Sequence, residues 1–423
     1  MKKILILFLF IPLFSCNDWL TVEPEDSVTF VNYFKNEEEL KALHNSMASY
    51  MKNICIGKQP YFYNALDADN IEWTYQGFWT LDPETYLPEE SMVLDVNWAG
   101  FYDAIYIANV MIENEYRFEN ISEERAEFWL GQAHFCKAVA YFRLAQIWGD
   151  VPISKGSESI APEGKQPALK VLEEAIKEAK LALTLPVHEQ LKDVDGKQIT
   201  SKQYASLGTV NTLLANIYAW LGGLTREEKY WKEAEFYASE VIEGKAGFYD
   251  LESIDGLIAN VFGKARYSVE TIFCIDNDPI DNDRQHETNF RPEFPGQMLM
   301  SYPYTTTDES AITSLAEDLW DDYTKIYVET VENIYPDEKD ARRREFWFQL
   351  GELTYPVTEW DDEAGDFVVV RREKSPCAHI AKWRDVIIQE NTQIVQDRPV
   401  IATDGDWVVW RLADLILLRA ECR

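Results

Sequence analysis

A mainly α-helical scaffold joined to an irregular, loop-rich half with short β segments is the fold class that this 423-residue chain predicts. Between residues 96 and 243, apolar side chains return every three or four positions, the period of helices with a buried face. From 53 to 95, and again from 248 to 406, that period dissolves among Asp, Pro and aromatic residues. Only brief β-like runs, such as Thr271–Ile275 and Phe367–Val370, stand out in the second stretch. Residues 16–423 are enough for one large domain or two smaller ones, with the helical scaffold mainly at 36–52, 96–243 and 407–423.

The chain opens with Lys2 and Lys3, an apolar run from Ile4 to Phe14, and Leu13-Phe14-Ser15-Cys16. A short charged start, a short apolar core and a small residue form a secretion signal over residues 1–15, too short to span a bilayer. Cys16 at the cleavage point resembles the acylated cysteine of bacterial lipoproteins, so Cys16 is the expected lipidation site. An extended leader to about Phe34 and a helix from Asn36 to about Lys52 follow.

Trp98, Phe101, Ile105, Ala108 and Ile112 then line one helix face. From Ser122 to Trp148 two apolar stripes coexist (Phe135, Val139, Phe142 and Ala138, Tyr141, Ala145, Trp148), which predicts a helix packed between neighbours. Gly149-Asp150-Val151-Pro152 stops it. Pro167 suits the first position of a helix carrying Leu172, Ala175, Ile176, Ala179 and Leu183. Another helix is expected from Ser201 to Leu221, ended by Gly222-Gly223, and Thr225 with Glu228 has capping-box spacing for one reaching Ile242. The final run, Trp407 to Arg423, reads as a helix apolar on two sides, which implies a chain that continues beyond Arg423.

A formal charge of −33 argues against nucleic acid as a partner, because phosphates need a basic face. Besides Cys16, five scattered cysteines (Cys55, Cys136, Cys274, Cys377, Cys422) show no CxxC spacing, so neither a zinc site nor a disulfide framework is indicated, and a single disulfide stays open. Cys136 reads as a small buried hydrophobe and His134 as a hydrogen-bonded core residue. Fourteen Trp, 22 Tyr and 21 Phe exceed what a helical core needs, and many fall in loops, where flat rings can meet the C–H faces of sugars. HExxH, GxSxG and phosphate-loop motifs are missing, and carboxylate pairs in so acidic a chain carry no information about a glycosidase site.

The segment Gly208…Ala215-Asn216-Ile217-Tyr218-Ala219-Trp220-Leu221-Gly222 with Tyr230…Ala234…Ala238 resembles a tetratricopeptide helix pair, and 122–148 with 167–184 has the same character. Together with Cys16-Asn17-Asp18-Trp19-Leu20-Thr21-Val22-Glu23-Pro24, Trp98-Ala99-Gly100-Phe101-Tyr102-Asp103-Ala104-Ile105, Lys339-Asp340-Ala341-Arg342-Arg343, Ala381-Lys382-Trp383-Arg384-Asp385 and Arg411-Leu412-Ala413-Asp414-Leu415, the chain resembles the SusD/RagB family of nutrient-binding lipoproteins of Bacteroidetes. That resemblance implies a single domain over residues 16–423, a tetratricopeptide-like scaffold lipid-anchored in the outer membrane and facing the cell exterior. It would capture glycan, without catalysis, as the partner of a SusC-like TonB-dependent transporter. A peptide-binding member of the family is the alternative, with an exported glycoside hydrolase or a helical adaptor behind it.

The resemblance also locates binding in the loops, which hold Asp67, Asp69, Asn70, Trp73, Tyr75, Phe78 and Trp79, then Tyr302, Tyr304 and Trp320. Of these, Asn70, Trp73, Tyr75, Trp79, Tyr302, Tyr304 and Trp320 are the expected ligand contacts, through ring stacking and polar groups on hydroxyls. No cofactor is expected. Asp276, Asp278, Asp281 and Asp283 form an oxygen-rich run of the kind that holds calcium, yet lack the EF-hand glycine and glutamate, so a solvated acidic turn is favoured.

Overall fold

The structure, a computed structural model, describes residues 33–56, 72–73, 98–159, 163–277, 302–304, 309–312, 324–388 and 400–423. Helix α1 (Glu37–Ile56) runs past the expected end at Lys52 and buries Leu40, Met47, Met51 and Ile54. The Asn36 side chain accepts the Glu39 N–H at 3.2 Å, satisfying one donor of the first turn. Strand β1 (Glu72–Trp73) is described by its backbone.

Helix α2 (Ala99–Glu113) and helix α3 (Glu123–Trp148) follow, the latter capped by Ser122, whose hydroxyl accepts the Arg125 N–H. Both stripes read along α3 are buried except at Trp148, which is half-buried, and Phe128, Trp129, Phe135, Tyr141 and Leu144 are all in the core. Gly149 ends α3 at φ 70°, the left-handed region that a residue without Cβ enters at little cost. A short ribbon of β2 (Val151–Pro152) and β3 (Lys165–Gln166) then leads to α4 (Ala168–Leu181), for which Pro167 is the residue before the first turn.

Helix α5 (Leu207–Thr225) differs from expectation at both ends. It begins only after Ser206, which caps it by accepting the Thr209 N–H, and it passes through Gly222-Gly223 to Thr225. Gly222 is an approach point, not a stop: a Cβ there would lie 2.6 Å from the Trp231 ring. The capping box expected at Thr225 and Glu228 does not form, because Thr225 belongs to α5 and donates its hydroxyl to the Leu221 carbonyl at 2.8 Å. Helix α6 (Glu228–Ile242) instead starts after Glu227 and stacks Tyr237 on Tyr218 of α5 with rings 5.7 Å apart and nearly parallel.

Each helix packs on the next in sequence, α1 on α2, α2 on α3, α3 on α4, α4 on α5 and α5 on α6, around one large core of aliphatic and aromatic side chains. His134 is indeed a hydrogen-bonded residue of α3, its Nδ1 2.6 Å from Glu178 of α4. Cys136 is buried, as are Cys55, Cys274 and Cys377, and the five cysteines described are free thiols.

Strand β4 (Thr271–Ile275) is buried throughout. The irregular half then supplies β5 (Thr324–Tyr327), the short helices α7 (Val328–Ile334) and α8 (Ala341–Glu345), a long ribbon of β6 (Thr354–Asp361) and β7 (Asp366–Lys374), β8 (Cys377–Ala378), and the pair β9 (Val386–Ile388) and β10 (Val400–Thr403). The run expected as a helix from Trp407 divides in two. Trp407–Arg411 is strand β11, and helix α9 (Leu412–Cys422) starts only afterwards. Trp-Val-Val-Trp suits a pleated surface better than a helix, and β11 has a partner: Trp407 pairs with Ile275 and Trp410 with Phe273, antiparallel to β4. Phe135 of α3 meets Phe273 at 5.2 Å and Trp410 at 6.4 Å, so this two-stranded sheet is seated on the scaffold by three rings. Helix α9 packs on α6 and leaves Leu417 68% exposed.

Candidate functional site

Two of the expected ligand contacts lie side by side in the irregular half. Tyr302 and Tyr304 flank Pro303, whose peptide bond with Tyr302 is cis, and both rings meet Phe348 edge-on, at 6.0 and 6.1 Å. Tyr302 also stands 6.3 Å from the imidazole of His379. The rings are positioned by backbone bonds: Phe348 N–H donates to the His379 carbonyl, and the neighbouring residues Trp347 and Ile380 form an antiparallel bridge. His379 is buried, its Nε2 2.9 Å from the Ile312 carbonyl, and burial lowers its pKa, which keeps the ring neutral at neutral pH. Beneath lies a second hydrophobic cluster of Val331, Trp347, Ala378 and Ile380, with Trp383 packed against both this cluster and the main core.

At the rim, Arg372 of β7 pairs with Glu309 at 2.7 Å and donates to the Thr354 carbonyl at 2.9 Å. Burial raises the Tyr304 phenol above its ordinary pKa, so at neutral pH it is an uncharged hydroxyl that both donates and accepts. Ring faces with neutral hydroxyls and a fixed charged pair at the edge suit a polyhydroxylated ligand, for which stacking and hydrogen bonding act together.

A small sheet ties this cluster to the loop after α1. Trp73 of β1 pairs with Thr324 of β5, and β5 pairs through Ile326 and Tyr327 with Ala378 and Cys377 of β8, next to His379. The backbone at Trp73 is thus brought into the same sheet as the segment that seats Tyr302. Asn70, Tyr75, Trp79 and Trp320 lie outside the described residues, as do Asp67, Asp69, Phe78 and Cys16.

Sequence reasoning did not single out Phe348 or His379, because nothing local distinguishes them; their role arises only when distant segments meet. It also read Trp98 as part of a helix face alone. The structure opens a cleft of about 270 Å³ there, between Trp98 and Tyr102 on one side and Pro152, Ser154, Lys155, Ser159 and Glu163 on the other. The Tyr102 hydroxyl donates to the Pro152 carbonyl, and Lys165 covers the Trp98 ring at 5.5 Å.

Of the four aspartates in the oxygen-rich run, Asp276 alone is among the described residues. Its carboxylate accepts the Ser201 hydroxyl at 2.8 Å, and its ligand atom lies with those of Cys274 and Asp406 inside a 4.8 Å group. Burial, reinforced by the Asp276 charge, pushes the Asp406 carboxyl up to about 6, although it accepts the Asn277 N–H and lies 3.7 Å from Arg266. These carboxylates are held by protein donors across the β4–β11 sheet.

Residues 18–223 match a family model described as SusD-like, starch-binding and associating with the outer membrane. The chain is a SusD-family protein. It is 28% identical over 184 residues, and 26% over 254 residues, to two SusD-like proteins of Formosa agariphila, covering 40% and 58% of this chain. Those matches span 35% and 47% of the relatives' own lengths, so the chain accounts for about a third to a half of each. Among solved structures, a SusD homologue of Bacteroides thetaiotaomicron superposes with a TM-score of 0.64 at 19% identity, covering 92% of this chain and 77% of that one. A structure described as a laminarin-binding SusD-like protein gives 0.65 at 19% identity, covering 92% and 80%. These likenesses establish a SusD-type fold, with its tetratricopeptide-like helices, over both halves of the chain. The family is one of starch- and glycan-binding proteins associated with the outer membrane, and no helix among the described residues is long and apolar enough to cross a membrane.

Proposed function

We propose that this chain captures glycan at the outer face of the outer membrane, without cleaving it, and delivers it to a SusC-like TonB-dependent transporter. The observation that carries the reading is the tyrosine pair in a glycan-binding family: Tyr302 and Tyr304 are fixed on Phe348 and bordered by the Arg372–Glu309 pair, in the loop-rich half. A solved relative described as laminarin-binding supports sugar as the ligand class. Lipidation of Cys16 would hold the protein at the transporter mouth and raise the local ligand concentration there. The reading requires neither a cofactor nor calcium.

Calorimetry against a panel of oligosaccharides and polysaccharides tests it, with Tyr304→Ala, Trp73→Ala, Trp79→Ala and Trp320→Ala as variants. Binding of at least one glycan without release of product, weakened by two or more of the variants, is the expected result. Binding of peptides with no glycan bound would replace the ligand class, and product release abolished by a single carboxylate substitution would make the protein a hydrolase.

A further inference from the structure

The β6–β7 ribbon carries a feature that the tyrosine cluster does not use. Antiparallel pairing sets Trp360 opposite Phe367 and Thr358 opposite Val369, with a bulge at the next step, after which Pro356 faces Arg372. Side chains two residues apart on a strand share a face, so Pro356, Thr358 and Trp360, with Arg372, Val369 and Phe367 opposite them, lie on one side of the ribbon. At its base that side holds Arg372, the rim of the tyrosine cluster. Near its tip it is apolar and open: Trp360 is 56% exposed, Phe367 64% and Val369 58%. The Trp360 indole N–H donates to Asp362 at 3.0 Å, which fixes the ring's orientation, and Phe367 meets it edge to face at 5.3 Å. The other side of the ribbon is mixed: Val357 and Val368 share it with Tyr355, Glu359, Arg371 and Glu373, and Arg371 bonds Glu373 and lies 3.9 Å from Glu359.

Resting on the functional reading above, we infer that this tip is a second stacking platform for a neutral polysaccharide whose chain also occupies the tyrosine cluster. Three observations select that occupant. The patch is built of only three exposed apolar side chains, Trp360, Phe367 and Val369, well short of the roughly 20–30 residues a side of a stable protein interface. It is rimmed by Asp361, Asp362, Glu363 and Asp366 on a chain of charge −33, which disfavours a second copy, an anionic membrane surface or an acidic polymer. And it shares a face with Arg372, four residues away along β6 at Pro356, about 13 Å, a span that a few consecutive sugar units cover. Two weak contacts on one chain reinforce each other, because the second forms at the effective concentration set by the first.

The experiment measures binding of full-length protein and its Trp360→Ala/Phe367→Ala variant to laminarin, soluble starch, xylan, galactomannan and pectin, and to the trisaccharide of whichever polymer binds. Both side chains are exposed, so an unchanged melting temperature verifies the fold. The expected result is an affinity for the neutral polymer about five- to tenfold weaker in the variant, with trisaccharide affinity unchanged. Equal polymer affinity in both proteins overturns the platform and leaves the functional reading intact. Wild-type protein that binds no glycan overturns both. Preference for pectin over every neutral polymer, or a wild-type dimer that the substitutions dissociate, overturns the choice of occupant.

Discussion

Glu178 of α4 is almost fully buried against α3, its oxygens 2.6 Å from His134 Nδ1 and 2.8 Å from the Lys137 ammonium, with Lys177 3.8 Å away. Burial alone would raise its pKa, but the His134 hydrogen bond and the Lys137 charge outweigh it and hold the carboxyl well below the usual carboxylate range. Glu178→Gln leaves the shape and removes the charge, so Lys137, its side chain only 11% exposed, faces a neutral amide. Breaking a buried pair from one side costs about 3–5 kcal/mol, and the α3–α4 contact should weaken by that order at pH 7. Because the folded pKa is depressed, the native carboxylate contributes stability above the unfolded-state pKa, and the contribution fades as pH falls through the folded value. The gap between variant and wild type must therefore narrow on acidification from pH 7 to pH 3. Urea unfolding followed by circular dichroism at several pH values measures it. A gap below about 1 kcal/mol at pH 7, or one that does not change with pH, refutes the reasoning. Replacing both partners, Lys137→Met with Glu178→Leu, should recover most of the loss, since well-packed apolar side chains are comparable to a buried pair.

Asp406 should behave in the opposite sense. With its folded pKa raised to about 6, its contribution is intact below the unfolded-state pKa near 4 and is lost as pH rises to 6. Asp406→Asn should thus gain on wild type across that window by up to about 3 kcal/mol, and a difference that is flat in pH denies the shift. Gly222→Ala drives a methyl into the Trp231 ring at 2.6 Å, so α5 and α6 must part; we expect a loss of about 1–3 kcal/mol in denaturant unfolding, and wild-type stability would mean the ring moves freely.

The helices were legible because their faces are buried in one core, and burial writes its period into the chain. Boundaries failed where tertiary contacts decide. Gly222-Gly223 looks like a stop until Trp231 is seen to need the missing Cβ. Trp407–Arg411 carries apolar residues compatible with either period, and only the partner strand Thr271–Ile275 makes it a strand. At the candidate site the aromatic excess and its place in the loops could be read, whereas Phe348 and His379 could not. Their positions depend on backbone bonds between segments far apart in the chain.

The sheet of β1, β5 and β8 has a kinetic consequence. It joins residues 72–73 to 324–327 and 377–378 with strands of two to four residues, so its few bonds close chain loops of great length. Loop closure of that kind is repaid only once neighbouring parts are in place. The helical layer should therefore acquire protection from hydrogen exchange first on refolding, and the amides of this sheet last. The same order run backwards makes the stitch the first part of the described fold to open under mild denaturant, while the helices remain closed.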